Sequence, residues 1–246
     1  LISTTQLKQW IKQQDTPTKR WLYSSLRSLR AGSVPVIPGL HRALYGLSRA
    51  LKGGFVGAVR VFWTTPVFRS QLTHSGKGLY LFGGMPLLLG PLDFSIGNDV
   101  RLSGHTTMTG RSSSKSRPLL KVGDNVDIGW QCTIAVGSRV IIEDNVRLSE
   151  RCFLAGYPGH PLDPADRAAG LPDTDDQVGD IVIKNGAWLC FGTVVLAGVT
   201  IGEGSVVGAG SVVTKDIPAG VLAAGNPARI LRRIETAAEP LYDRTS

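Results

Sequence analysis

Histidine is scarce in this sequence: His41, His74, His105 and His160 are the four in 246 residues. A zinc centre built on three imidazoles needs ligands at close, matched spacing. His105 and His160 stand 55 residues apart and no HxxxxH occurs, so that chemistry is excluded and no metal is expected. Cysteine is nearly as rare, with three in no disulfide-like spacing, which makes a reducing compartment the expectation. No stretch reaches the roughly 18 uncharged apolar residues that a spanning helix needs. Nor does a leader with a small-residue cleavage site occur, so the cytoplasmic side is expected. Residues 1–70 lack the Gly-rich α/β domain of a sugar nucleotidyltransferase. They also lack acid: eleven basic side chains stand against Asp15 alone, whereas the remainder holds 16 basic and 18 acidic residues.

What the chain does have is a period of six. Ile183, Leu189, Val195, Ile201, Val207 and Val213 recur at that interval, each followed four residues later by a small or β-branched side chain. Neither the alternation of a simple strand nor the 3.6-residue period of a helix yields this spacing. It is the pattern of a parallel β-helix, three hexapeptides to a coil of 18 residues. The same phase holds upstream in Ile96, Leu102 and Met108, then Val122, Ile128 and Ile134, then Ile142, Leu148 and Leu154. About five coils are thus expected over residues 96–218, entered through residues 71–95 and closed by a turn and cap at 219–246. Cys132 and Cys152 occupy the small inward position and read as packed, inert thiols. Two breaks interrupt the register, at Arg111–Lys121 and within 155–180, and an insertion in a repeat must leave the stack as a loop.

Residues 1–70 read as a basic helical segment, with Leu7, Trp10, Ile11 and then Trp21, Leu22, Leu26 and Leu29 at three- and four-residue spacing. Leu40, Leu44, Leu47 and Leu51 share a second apolar face beyond a proline-containing break. Such helices lie on anionic membrane surfaces. A helical collar packing on the stack is the alternative, and nucleic-acid binding is disfavoured because no recognised motif accompanies the charge.

The second break carries GYPGHPLDPADR. His160 there sits between Gly159 and Pro161, and an imidazole titrating near pH 6.5 is the natural proton acceptor at neutral pH. His105, at a non-inward position of SGHTT, is a second choice that reads as a surface or subunit-interface residue.

The combination of GHPLDPADR, Trp188 and GVTIGEGSVVGAGSVVTKDIPAGVLAAGNPARIL resembles the hexapeptide-repeat O-acetyltransferases of the maltose, galactoside and nodulation type. With Thr65–Ser70 (TPVFRS) it is nearest the sugar acyltransferases of exopolysaccharide and capsule clusters. The resemblance implies a left-handed parallel β-helix assembled as a homotrimer, with active sites between neighbouring chains. It implies that His160 is the general base for direct transfer from acetyl-CoA, without an acyl-enzyme. Trp188 would line the pantetheine channel, with Ala209, Gly210, Thr214 and Lys215 along the coenzyme and Arg229 and Arg232 near its phosphates. Phe191 would stand where a small residue borders the thioester. Gln131, in place of an asparagine, and Arg167 would meet the acceptor. Gly156, Tyr157 and Pro158 fill the positions where an aspartate is frequent, so no orienting partner for His160 is named.

The expected function is therefore acyl-CoA-dependent O-acetylation of a sugar hydroxyl on a lipid-linked or nucleotide-linked polysaccharide precursor. It would proceed at the inner face of the cytoplasmic membrane. A non-catalytic trimeric scaffold at the membrane is the rival.

Overall fold

The computed structural model describes residues 3–235, and the chain divides into two compact units at Gly54/Phe55. In the first unit α1 (Thr4–Lys12) starts at a capping box, in which the Ser3 side chain accepts from Gln6 N–H and the Gln6 side chain accepts from Ser3 N–H. Helix α2 (Pro17–Ala31) starts at Thr16, with proline at its first position, where no amide donor is lost. A proline-bounded link leads to α3 (Pro38–Val59), whose last turn passes into the second unit. The helical reading of the N-terminal segment thus holds piece by piece.

A π-helical turn, Arg60–Thr64, joins α3 to α4 (Thr65–Arg69). Phe68 of α4 meets Phe94 edge-to-face at 6.1 Å, and both rings are buried.

Six coils follow. The first comprises β1 (His74–Ser75), β2 (Tyr80–Phe82) and β3 (Leu87–Leu89); the second β4 (Asp93–Ile96), β5 (Arg101–Ser103) and β6 (Thr107–Gly110). The third is β7 (Leu119–Val122), β8 (Asp127–Ile128) and β9 (Thr133–Val136); the fourth β10 (Arg139–Ile142), β11 (Arg147–Leu148) and β12 (Phe153–Ala155). After a long loop with a helical turn, α5 (Pro164–Ala168), come β13 (Ile181–Ile183), β14 (Trp188–Leu189) and β15 (Val194–Leu196). The last coil is β16 (Thr200–Ile201), β17 (Val206–Val207) and β18 (Val212–Val213). Each strand pairs in parallel with its equivalent one coil away, giving three sheets that form the sides of a left-handed prism. The sheet begun by β2 continues through β19 (Val221–Gly225), which pairs antiparallel with β20 (Ala228–Arg233).

The five coils read from the sequence are all present, and a sixth precedes them within residues 71–95. It escaped the pattern because its inward positions, Ser75, Leu81 and Leu88, pair with Ile96, Leu102 and Met108 but are spaced six and then seven apart. One of the three is also polar, so neither spacing nor hydropathy marks the coil.

The interior is a stack of identical positions. Ile128, Ile134, Ile142, Leu154, Ile183 and Ile201 are each 0% exposed. Burying one such side chain contributes about 1.5–3 kcal/mol. The small column is filled equally tightly, by Thr106, Cys132, Cys152, Thr193 and Ser211. Its hydroxyls meet backbone carbonyls, Thr193 Oγ1 donating to Cys190 O at 2.8 Å and Ser211 Oγ to Gly208 O at 2.6 Å. The reading of Cys132 and Cys152 as packed thiols is met by both being buried.

Candidate functional site

The loop from Gly156 to Asp180 leaves the prism at the corner between β12 and β13 and is held by an ion pair at its base. Arg111 Nε donates to Asp173 Oδ1 at 2.8 Å, with both side chains buried. Arg111 Nη2 donates to Asp173 O at 2.7 Å, and Nη1 to Asp175 Oδ1 at 2.6 Å. Burial pulls the guanidinium pKa down, but the hydrogen bonds to Asp175 and Asp173 outweigh it and leave it raised. The same contacts, with Lys115, hold Asp175 below the ordinary carboxylate value. Asp173 Oδ2 also accepts from Gly159 N–H at 3.2 Å, one residue before His160. Tyr157 and Thr109 share a hydroxyl–hydroxyl contact of 2.7 Å, which ties the near strand of the loop to β6.

His160 itself is exposed, and among the described residues its ring has no hydrogen-bond partner. The residues after it are fixed by Arg167, whose Nη1 donates to Pro161 O at 2.9 Å and also to Leu162 O. Arg167 is positioned in turn by α5, which starts at Asp163: that carboxylate accepts from Ala165 and Asp166 N–H. Arg167, expected at the acceptor, thus spends part of its guanidinium on the loop that carries the histidine.

The other expected site residues lie on different parts of the prism. Trp188 stands on β14, 47% exposed, and its Nε1–H donates to Ser149 Oγ at 3.0 Å. It borders a groove of about 410 Å³ on that sheet, with Arg101, Asp127, Arg147, Glu150 and Phe82. Arg101 pairs with Asp127 at 2.9 Å across one coil and lies over the Phe82 ring. No motif pointed to this charged row; it emerges only when Arg101, Asp127, Arg147 and Trp188 are brought into register.

Gln131, Phe191, Ala209 and Gly210 mark the corner between this sheet and the sheet of β15. Gln131 sits at φ +59° and accepts from Arg151 Nε at 3.0 Å, and the Arg151 guanidinium lies 5.5 Å from the Phe191 ring. Gly210, at φ +67°, has open space where a side chain would point. Thr214 and Lys215 are exposed at the next corner, after β18, and Arg229 and Arg232 are exposed on β20. His105 stacks on Trp130 with ring centroids 3.9 Å apart. Among the described residues no cluster of His, Cys, Asp and Glu has the makings of a metal site.

Residues 180–215 match the model of the bacterial transferase hexapeptide family (six repeats). A Schizosaccharomyces pombe protein named as an acetyltransferase is 45% identical over 126 residues, covering 46% of this chain and 55% of that protein. The galactoside O-acetyltransferase of Escherichia coli is 41% identical over 110 residues, covering 45% of this chain and 49% of that one. The chain spans about half the length of these relatives. A Bacillus cereus N-acyltransferase, solved with dTDP and 3-hydroxybutyryl-CoA, superposes with a TM-score of 0.55. At 16% identity over 71% of this chain and 89% of that one, it bears on the fold alone.

Proposed function

We propose that the protein is an acyl-CoA-dependent O-acyltransferase that moves an acetyl group from acetyl-CoA to a sugar hydroxyl, with His160 as general base. The observation that carries this reading is an exposed imidazole on a loop whose base is locked by the buried Arg111–Asp173 pair. The relatives named as acetyltransferases, one of them a galactoside O-acetyltransferase, support transfer of an acetyl group and favour a sugar acceptor.

In the proposed step the imidazole takes the acceptor hydroxyl proton as its oxygen attacks the thioester carbonyl. The new C–O bond forms, the C–S bond breaks, and the proton passes from the imidazolium to the departing thiolate. A positioned base contributes about 10²–10⁴ to such a reaction. Holding both substrates together removes an entropic barrier. Backbone N–H groups at the coil corners are the donors offered to the tetrahedral oxyanion.

The coenzyme is proposed to lie along Trp188, Phe191, Ala209 and Gly210, where the open side of Gly210 leaves room for its arm. The exposed Arg229 and Arg232 on β20, and Lys215 with its chain neighbour Thr214 at the corner after β18, suit its phosphates. The groove beside Trp188 offers an aromatic platform with charged donors and acceptors, the mix that a hydroxyl-rich ring requires.

In one chain the His160 loop and the Phe191–Gly210 corner leave opposite edges of the β12–β15 sheet. A head-to-tail ring of three copies would set the one edge against the other, which favours the trimer. Residues 1–70 are read as a peripheral attachment to the inner face of the cytoplasmic membrane.

The test is release of free coenzyme A from acetyl-CoA in the presence of a panel of nucleotide-linked and lipid-linked saccharides. His160→Ala should lower turnover by about 10²–10⁴ while leaving coenzyme binding in place. A protein that neither binds acetyl-CoA nor responds to this substitution is a scaffold instead.

A further inference from the structure

The helical unit that ends at Gly54 covers little of its own apolar surface. Among its described residues Ile11 is the one buried large hydrophobic side chain, whereas Trp21, Leu29, Leu40, Leu44, Leu47 and Leu51 are 50–78% exposed. Its charge is equally unmet. The nine Lys and Arg of residues 1–54 face one acid, Asp15, and Asp15 is already paired with Lys19 at 2.8 Å.

These two deficits meet between α1 and α2. A groove of about 400 Å³ there is lined by Ile11, Tyr23 and Leu26 and flanked by Lys8, Lys12, Arg27 and Arg30. Among the described residues, four cations and no carboxylate line this apolar floor. The acid-rich stretch of the chain, residues 173–180, is already engaged through Asp173, Asp175 and Asp180 with Arg111, Lys115 and Arg139. Residues 55–246 carry 18 basic and 18 acidic side chains, so they hold no excess of negative charge. A second copy of the helical unit would bring a net eight like charges with it. A nucleic acid would meet the cations but leave the floor uncovered.

We infer that this groove receives the phosphate of an anionic phospholipid at a bilayer surface, with the first carbons of the lipid against Ile11, Tyr23 and Leu26. Arg27 and Arg30 supply planar forks that match phosphate oxygens, and Lys8 and Lys12 supply mobile point charges. No helix among the described residues is long and apolar enough to cross a membrane, so the unit lies on the surface rather than through it. The inference rests on the membrane-attachment reading and sharpens it from net charge to one place.

The experiment is co-sedimentation of the full chain with vesicles of phosphatidylcholine alone and of phosphatidylcholine mixed with phosphatidylglycerol. Two triple variants with equal loss of charge are compared: K12Q/R27Q/R30Q in the groove and R42Q/R49Q/K52Q on α3. Binding to the anionic vesicles is expected for the unaltered chain. It should fall at least about tenfold further in the groove variant than in the α3 variant, with both retaining the helical circular dichroism of the parent. Equal losses in the two variants overturn the groove and leave the general attachment standing. No binding of the unaltered chain to anionic vesicles overturns both. A single-stranded oligonucleotide that displaces the vesicles at equal charge concentration overturns the lipid assignment.

Discussion

Arg111 and Asp173, 62 residues apart in the chain, form a buried pair at 2.8 Å that joins the two interruptions of the repeat. The first interruption supplies the cation and the second the anion. The short break after β6 is thus the anchor for the long one that carries His160. Removing one partner of a buried pair leaves an uncompensated charge and costs about 3–5 kcal/mol. Arg111→Met should therefore lower the thermal midpoint and open residues 156–180 to limited proteolysis, and turnover should fall with it. The double variant R111M/D173L, which leaves no orphaned charge, should recover much of the stability but not the turnover.

Arg167 offers a separate control over the same histidine. Its guanidinium bonds the carbonyls of Pro161 and Leu162, so Arg167→Ala should loosen the segment directly after His160. A fall in kcat of about tenfold or more is expected, with global stability within about 0.5 kcal/mol, as for other exposed substitutions. If its role is acceptor binding instead, the loss should appear in the acceptor KM at unchanged kcat.

Phe191 is half exposed, with the Arg151 guanidinium over its ring. If it borders the thioester, Phe191→Gly should widen the range of acyl chains accepted, raising turnover of longer acyl-CoA relative to acetyl-CoA. A change of one methylene in the fit of an apolar pocket alters such a ratio by about 10–200-fold. Competition between acetyl-CoA and hexanoyl-CoA, read by mass spectrometry of the product, measures it.

Acid should destabilise the stack through the corner carboxylates. A hydrogen bond from Lys184, against an opposing effect of burial, and a further one from Asn185 N–H hold Glu143 below its ordinary value. Backbone and side-chain hydrogen bonds from Asn98 do the same for Asp124. A depressed folded-state pKa means that the unfolded chain takes up protons first as pH falls. The stabilisation is therefore complete above the ordinary carboxylate range and is lost below it, as pH drops through the folded values. The thermal midpoint should be flat from neutral pH to about 5 and fall below about 4, less steeply in Glu143→Gln.

Thiol chemistry should separate the three cysteines. Hydrogen bonding to Cys132 and burial push the Cys152 thiol far up, and burial raises Cys190 as well. Cys190 alone is partly exposed, so a thiol reagent should modify it in the native protein and reach Cys132 and Cys152 only on unfolding.

The prism was legible in the sequence wherever the inward column stayed aliphatic at intervals of six, from Ile96 to Val213. Ser75 broke that rule on hydropathy and Leu88 on spacing, so the first coil was not legible. The candidate site could be read only as single residues, because His160, Trp188 and the arginines of β20 sit in recognisable strings. Their mutual placement was not legible, since it depends on pairs such as Arg111–Asp173 and Arg101–Asp127, whose members lie 62 and 26 residues apart in the chain. Gly156, Tyr157 and Pro158 offered no partner for His160, and the loop is steadied instead through the Gly159 amide and the carbonyls of Pro161 and Leu162.

A column of parallel rungs with bare amides at its end is a template on which another chain can grow. Beyond the last coil the sheet of β2 runs on through β19 and then turns back on itself as β20, whose direction no incoming rung can continue in parallel. Arg229, Arg232 and Arg233 on that reversed strand set like charge against the same end of a second copy. The terminal hairpin thus turns one of the three sheets away from further parallel growth.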